Sequence, residues 1–265
     1  MPDFIQYFLF VGFTGLMFLL RLDARRFGAA EWDTEDGDRQ AWLARLTWYA
    51  AGPALALIIF ALHPSPVADL NLVLAPDRGE ALLLGLAFGA AGTAAAFVLA
   101  ILSHRRISLP LPSRYPGGIV NALGTAFFDE FLFRGVLLGL LLSFDLPGWL
   151  AVGGGALIYA GAVRASMGGR GLLALLVALA LGLVGGTLVL MTAGIAAAFV
   201  GHAITRFALF LTMGYPTGPE TSSFVPPRAS GAATADSGAW LIPPRGYPGA
   251  ADDDGRGGIG PVRRI

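Results

Sequence analysis

Apolar residues in this chain are gathered into long runs. Seven stand out, at residues 4–20, 44–62, 81–102, 118–143, 148–163, 171–191 and 194–213. Their length is near the roughly 17–25 residues a helix needs to cross about 30 Å of hydrocarbon. The pattern predicts an all-α, polytopic transmembrane helix bundle of about seven spans. The least secure division is between the last two runs, where only Met191-Thr192-Ala193 intervenes. Gly85-x-x-x-Gly89 and Gly135-x-x-x-Gly139 are small-residue pairs of the kind that let membrane helices approach closely.

Two of the runs contain charge well inside their ends. The fourth reads NALGTAFFDEFLFRGVLLG, with Asp129 and Glu130 near its midpoint. Arg134 follows Glu130 by four residues, so the two can pair on one helix face. Asn121, Thr125 and Asp129 repeat at the same spacing and form a second polar stripe. The seventh run places His202 near its own midpoint, with Arg206 one turn later. A charged side chain at the bilayer centre costs roughly 2.5–3.5 kcal/mol on insertion scales and usually faces the bundle interior. Polar groups at matched depth on two helices favour contact between those helices. A neutralised ion pair and a hydrogen-bonded interhelical histidine are the structural readings; a site in the bundle is the functional one. His63 and His104 fall near membrane boundaries and read as surface or interfacial groups.

The segments between the runs give an orientation. The first run starts at Met1-Pro2-Asp3, without a basic region before it, and Arg21, Arg25 and Arg26 follow it. This suits a signal anchor with its N-terminus outside. The cytoplasmic loops then hold Arg21, Arg25, Arg26, Arg39, Arg105, Arg106, Arg114, Arg164 and Arg170, while the outer loops hold only Arg78. That asymmetry follows the positive-inside rule. The acidic stretch 31–38 (EWDTEDGD) lacks the ligand spacing of a calcium loop and reads as a solvated cytoplasmic loop. The organisation expected is a two-span region over residues 1–74, a membrane core over 75–213 and a tail over 214–265. Pro and Gly make up 18 of the tail's 52 residues, a composition that cannot bury enough surface to fold alone. Within it, Trp240-Leu241-Ile242-Pro243-Pro244-Arg245 has the makings of a short polyproline docking segment.

Composition agrees with the runs. The chain is 55% hydrophobic and 14% charged, with a mean hydropathy of +0.66, where a soluble domain is about 25% charged. The lipid bilayer is therefore the first partner expected, and nucleic acid is not expected. Cysteine is absent, which excludes a disulfide frame and thiolate chemistry. All 18 basic residues are arginine, which reads as genome composition.

FFDEFLFRG resembles the EExxxR signature of the CPBP family, the CAAX-protease and bacteriocin-processing intramembrane metalloproteases. The Gly-rich sixth run, Thr192-Ala193-Gly194 and His202 extend the likeness over about residues 75–213. The resemblance implies a membrane endopeptidase, expected in a bacterial cytoplasmic membrane, and the arginine asymmetry puts its C-terminus on the cytoplasmic side. It implies Asp129 as the water-activating carboxylate, Glu130 as its partner, Arg134 as a structural arginine and His202 as a water- or metal-binding histidine. Tyr159 matches the aromatic of the second motif and is a candidate substrate-binding residue. Zinc is the cofactor the family suggests.

Three positions depart from the family pattern. Asp129 is one methylene shorter than glutamate, Val163 stands where the second motif has histidine, and Arg206 stands where the third has asparagine. Asp129, Glu130, Arg134 and Arg206 balance without a metal. A divalent cation about 5 Å from Arg206 is penalised by roughly 3 kcal/mol per unit of like charge at an effective dielectric near 20. Val163 and Arg206 thus argue against zinc, and Arg206 is expected to compensate the carboxylates. Three functions remain open. They are a membrane endopeptidase with an altered site, a non-catalytic scaffold binding another membrane protein, and a transporter or proton pathway. The absence of inverted repeats and broken helices weighs against the last.

Overall fold

The computed structural model describes residues 4–24, 27, 39–102, 110, 115–166 and 172–213. The acidic stretch 31–38, His104, the arginines at 25, 26, 105, 106, 114 and 170, and the tail with its Trp240–Arg245 segment lie outside the described residues. The chain divides into two compact units, Met1–Pro219 and Glu220–Ile265.

Among the described residues the first unit is all-helical. Every apolar run forms a helix. The order is α1 (Phe4–Asp23), α2 (Arg39–Leu62), the single turn α3 (Pro66–Asp69), α4 (Arg78–Leu102), α5 (Tyr115–Asp129), a π-helical segment (Glu130–Leu137), α6 (Leu138–Leu142), α7 (Gly148–Ser166), α8 (Leu172–Thr192) and α9 (Ala196–Met213). Four helices are long and apolar enough to cross a membrane on their own: Phe4–Asp23, Trp42–Leu62, Arg78–Leu102 and Leu175–Thr192. α9 is apolar and shorter. The stretch through α5, the π segment and α6 is interrupted by its own charges. The chain is an integral membrane protein.

Small residues set how closely the helices approach. A Cβ on Gly85 would lie 2.9 Å from Ala197 O, and one on Gly89 would lie 2.7 Å from Ile204. The first of the two glycine pairs therefore seats α4 on α9. The second pair does something else. A Cβ on Gly139 would lie 2.5 Å from Asp69 O and 2.8 Å from Leu70 Cα, and one on Gly135 would meet Leu72. These glycines receive the end of the α3 turn and the chain that follows it rather than a long membrane helix.

The extended chain runs from Leu70 to Ala75 and is pinned at both ends. Asn71 N–H donates to Gly135 O at 3.0 Å, while Val73 O and Leu74 O accept from Ile195 and Ala196 N–H at 2.9 Å. The turn between α8 and α9 reaches this strap through Ala193 at φ 50 and through Gly194, where a Cβ would lie 2.3 Å from Leu74 O. Residues 193–195 thus do separate two helices, as the short gap in the sequence suggests.

Candidate polar site

The fourth apolar run is α-helical up to Asp129 and π-helical from Glu130 to Leu137. Leu138 N–H bonds to Phe133 O, five residues back. π-helical turns inside longer helices recur at functional positions. Here the wider turn keeps Glu130 and Arg134 on one side and leaves Gly135 O facing Asn71. Asp129, Glu130, Arg134 and His202 are each at most 2% exposed.

Asp129 is held on both oxygens. Its Oδ1 pairs with the guanidinium of Arg21, and its Oδ2 accepts from the Tyr159 hydroxyl at 3.1 Å. Arg21 lies in the last turn of α1, is 4% exposed, and sits over the rings of Trp48 and Phe128 at 5.5 and 5.6 Å. Those rings stack with centroids 3.8 Å apart, and Gly52 makes room for Phe128. The sequence pattern puts Arg21 among the cytoplasmic loop residues; it is instead buried in the helix, on the carboxylate.

Glu130 meets the seventh run directly. Its Oε1 is 2.7 Å from His202 Nδ1 and 3.2 Å from an Arg134 nitrogen. Arg134 also donates to Leu181 O at 2.9 Å and lies over the Tyr159 ring at 4.4 Å. Gly185 leaves it space, because a Cβ there would lie 3.0 Å from its Nε. The other ring nitrogen of His202 is Nε2. That nitrogen faces Asp129 Oδ2 at 4.0 Å, beyond hydrogen-bond distance. His202 Nε2 and Glu130 Oε2 are buried without a hydrogen-bond partner.

The second polar stripe forms its own network: Thr125 donates to Asn121 Oδ1 at 3.0 Å, and Tyr49 donates to the same oxygen at 2.8 Å. Arg206 has Asp129, Tyr159, Arg21 and Tyr49 as its charged and polar neighbours. The structure therefore brings together Asp129, Glu130, Arg134, Tyr159, His202 and Arg206, and adds Arg21. Val163, one turn beyond Tyr159 on α7, is 8% exposed and offers only methyl groups. His63 is not a surface group. It is 4% exposed, with Nδ1 3.7 Å from Asp69.

Residues 111–208 match the family model for Rce1-like proteins, the type II CAAX prenyl endopeptidase Rce1-like family. Over this segment the chain is similar to that family. The match agrees with the family likeness of the FFDEFLFRG motif and takes in the carboxylate pair, Tyr159, Val163, His202 and Arg206. Arg21 lies outside it. Neither the curated proteins nor the solved structures contain a match.

The zinc suggested by the family does not fit this Rce1-like segment. Both Asp129 oxygens are engaged, and Glu130 Oε1 is shared by His202 and Arg134. Among the described residues no three His, Cys, Asp or Glu side chains are grouped to hold a metal ion. Arg21 and Arg134 already pair with the two carboxylates, so a divalent cation would find no unbalanced negative charge there.

Proposed function

We propose that this CAAX-protease-like membrane protein keeps its Rce1-like cluster closed and serves as a non-catalytic membrane scaffold that binds another membrane protein. The observation that carries this reading is the direct pairing of Arg21 with Asp129, the residue the family likeness casts as water activator. With one oxygen on a guanidinium and the other on a phenol, the Asp129 carboxylate has both oxygens engaged by protein groups rather than by a water. The cluster then joins α1, α5, the π segment, α7, α8 and α9 through charge-assisted hydrogen bonds in a medium that offers little competition from water.

The test is turnover in lipid nanodiscs by the full-length protein. The substrates are a peptide with a prenylated C-terminal motif and a membrane-spanning peptide without one. The expected result is no cleavage above an Asp129→Ala, Glu130→Ala double variant. Cleavage that is lost in His202→Ala removes the scaffold reading.

A second reading is favoured by two atoms. His202 Nε2 and Glu130 Oε2 are buried polar atoms without hydrogen-bond partners, the kind of groups a general base and its water would use. On that reading the protein is a metal-independent endopeptidase, with Glu130 and His202 at the reacting centre and Arg206 stabilising the oxyanion. Chelator-resistant cleavage, lost in Glu130→Gln and kept in Asp129→Asn, is its signature.

We place the N-terminus outside and the C-terminus in the cytoplasm of a bacterial cell. The arginine asymmetry of the connecting segments supports this placement.

A further inference from the structure

α2 ends at Leu62, and His63-Pro64-Ser65 turns the chain into α3, which starts at Pro66. Proline has no N–H, so Ser65 carries the one backbone donor of residues 64–66. That N–H donates to His63 Nδ1 at 3.2 Å. A backbone N–H can only donate, so Nδ1 accepts and the ring proton sits on Nε2. Nε2 is buried without a hydrogen-bond partner, and the whole side chain is covered. Nδ1 also lies 3.7 Å from Asp69 Oδ2 at the far end of α3, on a carboxylate that is 28% exposed. The other charged groups on elements packed against α2 and α3 are Arg21 and Asp23 of α1, Asp129 of α5, and Glu130 and Arg134 of the π segment; α6 carries none. Among the described residues Asp69 alone pairs with His63.

The two contacts of Nδ1 exclude one another. The bond from Ser65 uses the only lone pair of that nitrogen. A proton added there sets two donors face to face, breaks the bond to Ser65, and turns the contact with Asp69 into an ion pair. The strap hangs on this corner. Asp69 and Leu70 N–H close α3 on Ser65 O and Pro66 O at 3.0 Å, and the chain runs on to the π segment through Asn71 and to α9 through Val73 and Leu74. We propose that His63 is an acid-sensitive latch. Its neutral ring clasps Ser65 and ties the strap to the end of α2, and a proton taken from the medium releases Ser65 and loosens that end of the strap. Histidine changes charge between about pH 5 and 8. The clasp holds the neutral ring and its opening lets the ring charge, so the clasp is present at neutral pH and is lost as pH falls, by up to about tenfold per pH unit. With the N-terminus outside, the end of α2 meets the outer medium, which makes this a response to external acid. It stands apart from the polar cluster and holds whether or not that cluster turns over a peptide.

The test is amide hydrogen exchange of the full-length protein in nanodiscs, from about pH 7.5 to about pH 5, with labelling times scaled to the intrinsic exchange rate at each pH. In wild type the segment 65–75 is expected to lose at least roughly tenfold in protection over that range, while α4 and α8 keep theirs. In His63→Asn the side-chain oxygen accepts from the N–H two residues on, as in an Asx turn, and takes no proton. That variant is expected to keep segment 65–75 protected throughout. Asp69→Asn removes the charge that favours the imidazolium, so its loss of protection is expected at lower pH than in wild type. Wild type equally protected across the range overturns the latch. So does a loss shared evenly by α4 and α8, or an acid loss that persists in His63→Asn. Should His63→Asn fail to fold, Asp69→Asn decides: a response displaced to lower pH supports the latch, and one at the wild-type pH overturns it.

Discussion

Taking away one partner of a buried ion pair strands the other, and the stranded charge costs about 3–5 kcal/mol. Arg21→Met and Asp129→Asn are each expected to lower stability by an amount in that range, read as a drop in the thermal midpoint in detergent. The double variant should lose clearly less than the sum, because the two residues share one interaction. The introduced amide can still accept from Tyr159, so the cycle isolates the guanidinium contact. Additive losses would mean that Arg21 and Asp129 do not depend on one another. The sequence makes one side of this pair visible and hides the other. Asp129, Glu130 and His202 stand out because charge inside an apolar run has no solvent to meet. Arg21 ends its run, where an arginine ordinarily meets headgroups or water. Its only signal is the four-residue spacing of Leu9, Phe13, Met17 and Arg21, which puts it on the buried face. Arg206 draws notice in the sequence for its position after His202, and its neighbours in the structure include both Asp129 and Arg21.

Helices are legible as elements because long apolar runs admit little else in a membrane, where every backbone group must be bonded within its own segment. The strap at Leu70–Ala75 is not legible, since extended chain that borrows partners from neighbouring helices leaves no period in the sequence. Its fit to the π segment and α6 gives a graded prediction. Gly139→Ala drives a methyl group into the backbone of Asp69 and Leu70, at 2.5 and 2.8 Å. Gly135→Ala meets only the end of the Leu72 side chain, which can turn away. Overpacking against fixed atoms costs typically about 1–3 kcal/mol. Gly139→Ala should fall in that range, and Gly135→Ala should cost clearly less, both read as thermal midpoints. Equal losses would show that the strap yields as readily as a side chain does. The Gly85 and Gly89 pair is legible as a helix-packing device because its neighbour, α9, is a regular helix.

At the scale of the whole molecule, contacts at the helix ends fix an alternation. Tyr7 stacks on Phe144 at 4.9 Å, Gly148 faces Leu190, and the strap meets the α8–α9 turn; these ends share one side. Tyr115 meets Phe207 and Phe210, and Trp48 meets Leu20, at the other. The start of α1 and the end of α2 therefore lie opposite the end of α7. The sequence adds the sign that geometry lacks: the connecting segments on the side of Arg164 carry nearly all the arginines, and the other side carries Arg78. Positive loops remain in the cytoplasm. Ser65 and Ala165 are exposed at opposite ends, and the chain has no native cysteine to confuse the reading. In intact cells a membrane-impermeant maleimide is expected to label Ser65→Cys at once and Ala165→Cys only after permeabilisation. The reverse order would invert the bundle. Labelling of both without permeabilisation would mean that the helices do not alternate across the bilayer. In the expected orientation Arg21 approaches Asp129 from the cytoplasmic end of α1.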